Sequence, residues 1–221
     1  MTHTRLLVEK KGESLKEGLL ALGDLVDVSL LKSLDALRRQ DLVLAKEVVA
    51  EDAAINVDRR ILEQQALLVL AAYQPAGIDL RMIGASMEII GELERIADHA
   101  ADVARILLRE EHGPLPQDFA DCIADMGEQA RRMVRDALTA YERDGDEVLA
   151  RATAARDDEI DALQGKAIDA IVAAIRSSPE DAAAGVALSW VAHNYERVAD
   201  RATNIAECVV YIATGETPEL N

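Results

Sequence analysis

Hydrophobic positions follow a helical period over most of the chain. Residues 5–38 show it most clearly, with apolar side chains at steps of three and four: Leu15, Leu19, Leu22, Val26, Leu30, Leu34 and Leu37. This spacing places the apolar side chains on one face of an α-helix. Nowhere do four or more residues alternate between apolar and polar in the manner of a strand. The pattern therefore predicts an all-α protein.

Polar residues, glycines and prolines divide this pattern into separate helices. Asp41 is a predicted N-cap of the second helix, and Asp79 of the third. Pro75 and Gly77 end the second helix, because proline cannot continue the backbone hydrogen bonding of a helix. Six long helices are predicted, at residues 5–38, 42–73, 79–111, 119–142, 146–176 and 179–214.

The chain contains an internal duplication. Residues 93–104 return as residues 195–206, at a constant displacement of 102. The run that begins at Asp41 returns at Asp146, 105 positions later. We therefore predict two tandem, pseudo-symmetric three-helix bundles made of six long antiparallel helices. The expected boundaries are 1–112 for the first bundle, 113–116 for the linker, 117–215 for the second bundle and 216–221 for a frayed tail.

Composition narrows the class of protein. The 41 acidic and 24 basic residues give a formal net charge of −17. Such a charge repels phosphate backbones and anionic lipid headgroups, which disfavours nucleic-acid binding and direct membrane adsorption. The start of the chain shows no signal-peptide pattern, so we expect a cytoplasmic protein. Cys122 and Cys208 are expected as buried, reduced thiols, and His99 as a solvated histidine.

Rows of acidic side chains provide the candidate chemistry. Residues at i, i+4 and i+8 lie along one stripe of a helix. One stripe holds Glu94, Asp98 and Asp102, and its repeat holds Glu196, Asp200 and Asn204. If the preceding helix of each half packs antiparallel, it adds carboxyl and amide groups from Asp52, Asn56, Asp157 and Asp161.

Two interpretations of these rows are open. Converging carboxylates can hold a hard cation such as iron, manganese, magnesium or calcium. Alternatively, arginines neutralise them as salt bridges, the candidates being Arg59, Arg60, Arg95 and Arg197. The metal interpretation predicts these ligands: Asp52, Glu94, Asp98, Asp102, Asp157, Asp161, Glu196, Asp200 and Asn204.

A metalloenzyme is an alternative function. Di-iron helical bundles carry Glu-x-x-His on two helices, and no such motif occurs here. His193 lies one turn before Glu196 and is a candidate extra ligand, although a hydrogen-bonded surface histidine is the simpler interpretation. No Ser-His-Asp set, cysteine nucleophile context or Gly-rich phosphate loop is present. We therefore predict a protein that is not an enzyme, with a carboxylate-bridged metalloenzyme or metal store as the alternative.

The motifs resemble those of the PhoU family of phosphate-signalling and phosphate-transport accessory proteins. The resemblance covers nearly the whole chain and is carried by residues 79–83, 94–100 and 196–207. Asn56 departs from the family pattern, because an acid is expected there, so the second repeat is the stronger metal candidate.

This resemblance implies a cytoplasmic regulator that helps to shut down phosphate-starvation signalling when phosphate is plentiful. It implies an adaptor between the ATPase subunit of a phosphate transporter and a sensor histidine kinase, acting as a homodimer. It also implies multinuclear iron or zinc clusters on the paired acidic motifs.

Overall fold

Residues 3–109 and 113–220, which the computed structural model describes, contain seven α-helices, one short 3-10 turn and no strand. The predicted fold class is confirmed. Residues 1–2, 110–112 and 221 lie outside the described part, so His112, the expected end of the first bundle, does too. The helices are α1 (His3–Arg39), α2 (Leu42–Tyr73), α3 (Ile78–Leu107), α4 (Gln117–Glu142), α5 (Glu147–Ala154), α6 (Asp157–Ser177) and α7 (Ala182–Thr214).

The predicted fifth helix is divided into α5 and α6. Ala155 and Arg156 keep negative φ angles but have ψ near −8°, which tightens the backbone. The amide of Arg156 consequently donates to the carbonyl of Thr153, three residues back, at 3.1 Å. This 3-10 geometry is typical of an interrupted helix. Asp157 therefore becomes the first residue of a new helix.

Two aspartates cap corresponding helices. Oδ1 of Asp41 accepts from the amides of Val43 and Leu44, at 2.9 and 3.1 Å. Oδ1 of Asp146 accepts from the amide of Leu149 at 3.0 Å. The predicted cap at Asp41 is confirmed. The predicted cap at Asp79 is wrong, because α3 begins at Ile78 after Gly77, whose φ of +62° suits glycine.

The seven helices share one continuous core. Helices α1, α2 and α3 pack against one another, and α7 packs on α4, α5 and α6. Contacts of α1 with α4 and of α3 with α7 join the two halves. Two fully buried tyrosine hydroxyls make hydrogen bonds inside this core, Tyr141 with Ser86 at 2.6 Å and Tyr195 with Ser33 at 3.1 Å.

The two ends of α7 have different surroundings. At its start, Pro179–Asp181 form the 3-10 turn, with Ser178 before it making no side-chain cap. At its end, in the expected tail, the amide of Leu220 donates to Oε1 of Glu207 at 2.8 Å. Within the described residues, no helix is both long and apolar enough to cross a bilayer.

Candidate functional site

The acidic rows of α3 and α7 lie at the edge of buried alanine faces. Ala97 and Ala199 are almost fully buried. The neighbouring carboxylates are sheltered, since the side chains of Glu94 and Glu196 are only 21% and 16% exposed. A sheltered carboxylate without positive partners is unfavourable. The question in each repeat is therefore which group neutralises the row.

In the second repeat, α6 and α7 bring four predicted residues together. Burial, followed by the negative charges of Asp200, Asp161 and Asp157, raises the pKa of Glu196 from 4.5 to about 7, while Arg197 opposes the shift. The charges of Asp157 and Asp161 on α6 thus act on Glu196 of α7.

The partners of these acids differ in kind. Arg197 forms an ion pair with Asp200 on the same helix. Nδ1 of His193 lies 3.2 Å from Oε2 of Glu196, yet this buried oxygen accepts no hydrogen bond. Asn204 turns away from the group, because its Nδ2 donates to Oε2 of Glu92 on α3 at 3.1 Å. Four carboxylates remain as the second-repeat acidic set, namely Asp157, Asp161, Glu196 and Asp200.

The first repeat also gathers its acids, but around arginines. Burial, followed by the charges of Asp52 and Asp102, raises the pKa of Asp98. Burial, followed by the charge of Asp98, raises the pKa of Glu94. These four carboxylates, Asp52, Glu94, Asp98 and Asp102, form the first-repeat acidic set.

Two guanidinium groups reach the first-repeat acidic set. Nε of Arg59 lies 3.5 Å from Oε1 of Glu94, and Nη2 of Arg105 lies 3.5 Å from Oδ2 of Asp52. Asn56 does not join the acids, since its Nδ2 donates to the backbone carbonyl of Asp52. The salt-bridge interpretation therefore describes much of this repeat.

Each repeat holds a buried carboxylate oxygen that accepts no hydrogen bond, Oδ1 of Asp52 in the first repeat and Oε2 of Glu196 in the second. Carboxylate oxygens are the ligands that hard cations prefer. Among the described residues, however, no three His, Cys, Asp or Glu side chains converge closely enough to form a ligand set as they stand. A cation shared by several of these carboxylates would require their side chains to rotate toward it.

Sequence reasoning missed several polar contacts between the halves. Glu92 of α3 receives Arg201 of α7 at 3.3 Å and Arg95 of its own helix at 2.9 Å. His99 was expected in solvent and is instead partly buried, with Nδ1 3.0 Å from Oδ1 of Asn194. Burial lowers the pKa of His99. Only the helix–helix packing reveals the Glu92–Arg201 and His99–Asn194 pairs, because their members are about 100 residues apart in the chain.

Thiols and cavities add two further observations. Cys122 was expected to be buried but is exposed, whereas Cys208 is buried as expected. Sγ of Cys208 donates to Glu88 at 3.3 Å, at the wall of a cavity of about 730 Å³ between α3 and α7. Glu92 and Glu207 also line this cavity. Its negative side chains all have partners within the protein.

Comparison with known proteins identifies the family. The family model described as the PhoU domain matches residues 19–107 and again residues 123–209. The chain belongs to the PhoU family. The two matches correspond to the two halves of this PhoU-family protein. They begin at residues 19 and 123, which are 104 positions apart.

Relatives and solved structures match most of this chain's length. A phosphate-specific transport system accessory protein PhoU homolog from Pseudomonas putida is 34% identical over 92% of this chain and 79% of its own. The homolog of the same name from Clostridium acetobutylicum is 30% identical over 99% of both chains. Crystal structures match as well, with PhoU from Pseudomonas aeruginosa at a TM-score of 0.88 and 32% identity, covering 94% of this chain and 99% of that one. The phosphate transport system regulatory protein PhoU from Streptococcus pneumoniae gives 0.87 and 28%, covering 96% and 99%.

Proposed function

We propose that this protein is an accessory regulator of phosphate uptake, which represses phosphate-starvation signalling when phosphate is plentiful. The observation that supports this function is the match to PhoU proteins along both repeats and nearly the whole chain. Those relatives are named accessory or regulatory proteins of phosphate transport rather than enzymes. No particular observation favours the metalloenzyme alternative.

The proposed mode of action is that of an adaptor in the cytoplasm. It contacts the ATPase subunit of a phosphate transporter and a sensor histidine kinase, and it acts as a homodimer. One feature agrees with contact through proteins rather than lipid, because the net charge of −17 repels anionic headgroups.

Gene deletion tests the regulatory function. In the organism that encodes this chain, deletion is expected to leave a phosphate-scavenging gene active in high phosphate, and a plasmid copy is expected to restore repression. A transcriptional reporter measured in high and low phosphate gives the readout. Unchanged repression in the deletion strain would contradict the proposal.

Crosslinking of the purified chain with the ATPase subunit and with the kinase's cytoplasmic part tests the two adaptor contacts separately.

The acidic sets supply a metal-binding component of the proposed function. The second-repeat acidic set holds an ion, with iron or zinc as the candidate metals and magnesium, manganese or calcium as the hard-cation alternatives. The sheltered, mutually repelling carboxylates support this assignment, because a bound cation would relieve their repulsion. Elemental analysis of protein purified without chelator should show metal that the Glu196→Ala/Asp200→Ala variant lacks. Equal metal content in the two proteins would contradict it.

A further inference from the structure

Helices α3 and α7 are antiparallel neighbours that the duplication relates by a pseudo-twofold axis. Oε2 of Glu92 on α3 lies 3.3 Å from Nη1 of Arg201 on α7. The equivalent pair, displaced by 102 positions on each helix, is Asn194 of α7 with His99 of α3, at 3.0 Å. A twofold axis that exchanges antiparallel neighbours is perpendicular to the layer that they form, so it keeps the outer side of the layer outside. Each feature at one end of the outer α3–α7 face therefore has a counterpart on the same face at the other end.

One end of this face is hollow. The cavity of about 730 Å³, here called the α3–α7 pocket, has Gly84 and Gly91 on its α3 side, and nothing lies within 4 Å of a Cβ at either glycine. Met87, Glu88 and Arg95 also line the pocket. A thioether packs against aromatic rings, a guanidinium stacks on them, and a carboxylate accepts an indole N–H. The pocket thus offers the contacts that suit a tryptophan side chain.

The other end of the face carries a ridge instead of a hollow. At the positions equivalent to the two glycines and to Glu88, α7 has large side chains that form the Trp190 ridge, namely Val186, Trp190 and His193. Trp190 is the only tryptophan of the chain and is 57% exposed, and Val186, one turn before it, is 54% exposed. Single exposed apolar residues are common, but adjoining ones that include a tryptophan are typical of a contact surface.

The Trp190 ridge lies beside the end of α3. Sγ of Cys208 donates to Glu88 at 3.3 Å, and the same register, displaced by 102 positions, places Ile106 opposite Trp190. Glu88 and Ile106 are 18 residues apart on α3, which corresponds to roughly 27 Å along a helix. Pocket and ridge are therefore well separated on one face.

The two ends also differ in charge. The α3–α7 pocket is lined by three carboxylates and one guanidinium, those of Glu88, Glu92, Glu207 and Arg95. Residues 182–195, which bear the Trp190 ridge, and residues 103–109 at the end of α3 contain two arginines, one histidine and no acid. Such segments contrast with the net charge of −17 of the whole chain. The ridge is therefore complementary to the pocket in shape and in charge.

A second copy of the chain can use both ends of the face at once. It is turned over about an axis that lies in the plane of the face, midway between pocket and ridge. Its ridge then lies over the pocket of the first copy, and its pocket receives the ridge of the first copy. Such a contact is isologous, so it closes as a dimer and does not continue into a filament.

We propose that Trp190 of each copy enters the α3–α7 pocket of the other, so that the outer α3–α7 face is the interface of a twofold dimer. The indole ring leaves water for the hollow between the two glycines and Met87, and the guanidinium of Arg95 stacks on it. The indole N–H donates to the carboxylate of Glu88, which has lone pairs beyond the one that accepts the thiol. This inference rests on the homodimer of the proposed function and gives that dimer an interface.

Two variants remove the two sides of the contact. Trp190→Ala deletes the exposed ring, and Gly91→Leu fills the pocket without a clash inside its own chain, because the space around the glycine is open. Each should raise the dimer dissociation constant, measured by sedimentation equilibrium, by roughly tenfold or more, as truncation of an interface aromatic does. The matched controls are exposed sites on other helices, Leu68→Ala on α2 and Gly165→Leu on α6, and should leave the constant unchanged.

A mixture of the two variants is the sharper test. The Trp190→Ala chain keeps its pocket and the Gly91→Leu chain keeps its tryptophan, so a heterodimer has one intact contact and neither homodimer has any. The mixture should therefore associate more tightly than either variant alone. The Gly91→Leu chain carries the only tryptophan in the mixture, and its fluorescence emission should move to shorter wavelength as the ring leaves water.

Three results would overturn the inference. The first is a mixture that associates no more tightly than the separate variants. The second is a loss of affinity in either control equal to that of Trp190→Ala. The third is a wild-type dimer in which an aqueous quencher reaches Trp190 as readily as in the dilute Gly91→Leu chain. This third result would place the interface elsewhere and leave the homodimer of the proposed function standing.

Two further outcomes separate this inference from the proposed function. A wild type that stays monomeric at all concentrations would reject both the interface and the homodimer. If the mixture associates as expected while repression is unchanged in the deletion strain, the interface stands and the regulatory function is rejected.

Discussion

Gly127 of α4 lies directly against Leu34 of α1, so that a Cβ added to the glycine would stand 2.7 Å from Cδ2 of the leucine. The duplication repeats this contact with the glycine on α1 and the leucine on α4. A Cβ on Gly23 of α1 would stand 2.6 Å from Cδ1 of Leu138 of α4, and both pairs of equivalent residues are 104 positions apart. Small residues at matching positions thus let the first helices of the two halves pack closely.

Replacing Gly127 with alanine should destabilise the protein. The new methyl group would also meet Cγ of the fully buried Tyr195 at 2.8 Å, and a ring cannot move aside as easily as the end of a leucine. We expect a loss of about 1–3 kcal/mol from overpacking, in spite of the gain of about 1 kcal/mol in helix propensity. Urea unfolding measures the change.

The control for this prediction is Gly165→Ala in α6. Nothing lies within 4 Å of a Cβ at this exposed position. Helix propensity alone should therefore stabilise the protein by up to about 1 kcal/mol. Equal effects of the two substitutions would mean that the α1–α4 contact is looser than described.

Tyr195→Phe should cost a hydrogen bond without leaving a cavity. The hydroxyl of Ser33 donates to the carbonyl of Leu30 at 2.8 Å, so the hydroxyl of Tyr195 is the donor toward Ser33. Its removal should lower the free energy of unfolding by about 1 kcal/mol, the usual net value of such a bond. A double-mutant cycle with Ser33→Ala isolates the pair. A coupling energy near zero would show that the two hydroxyls act independently.

The metal-free protein should lose stability as the pH rises from about 4.5 to about 7. The pKa of Glu196 is raised to about 7 in the folded protein, above its value of 4.5 in an unfolded chain, by burial and then by Asp200. Between these values the folded state binds more protons than the unfolded state, so the free energy of unfolding falls with increasing pH. Chemical unfolding at pH 4.5 and 7.5 in the presence of chelator measures this loss.

Glu196→Gln is the matched variant for this measurement, since its amide does not titrate. Its free energy of unfolding should decline less over the same pH interval. A decline as steep as that of the wild type would assign the effect to other carboxylates.

His99 should contribute a pH dependence of the opposite sign. Burial lowers its pKa in the folded protein below the unfolded value of 6.5. The unfolded state therefore binds the proton more readily, and stability is lost as the pH falls through 6.5 toward the folded pKa. A histidine NMR titration should give a pKa below 6.5 for His99, and His99→Gln should flatten the stability profile in this interval. A pKa at or above 6.5 would place the ring in solvent.

The two thiols should differ strongly in reactivity. Cys122 is exposed, whereas Cys208 is only 8% exposed and burial raises the pKa of its thiol. Thiolate is the reactive form, so a maleimide should label one equivalent quickly and the second only on unfolding. Cys122→Ser should abolish the fast phase. Fast labelling in that variant would show that Cys208 opens to solvent.

Sequence by itself determined the helical class, the duplication, the family and which residues form acidic rows. These follow from local rules, because the three-to-four-residue spacing fixes which side chains share a helix face whatever the helix packs against. The same rules identified the N-cap at Asp41, whose carboxylate meets amides two and three residues away.

Only the tertiary structure decided what the acidic rows face. The rotation of α2 against α3 brings Arg59 to Glu94, and that of α3 against α7 turns Asn204 toward Glu92. The interruption before Asp157 likewise depends on packing, as no glycine or proline marks it in the sequence. Such contacts join residues far apart in the chain, and a long side chain can turn to either of two neighbours. Which partner a side chain contacts depends on how whole helices are placed relative to one another, and no local sequence pattern encodes this placement.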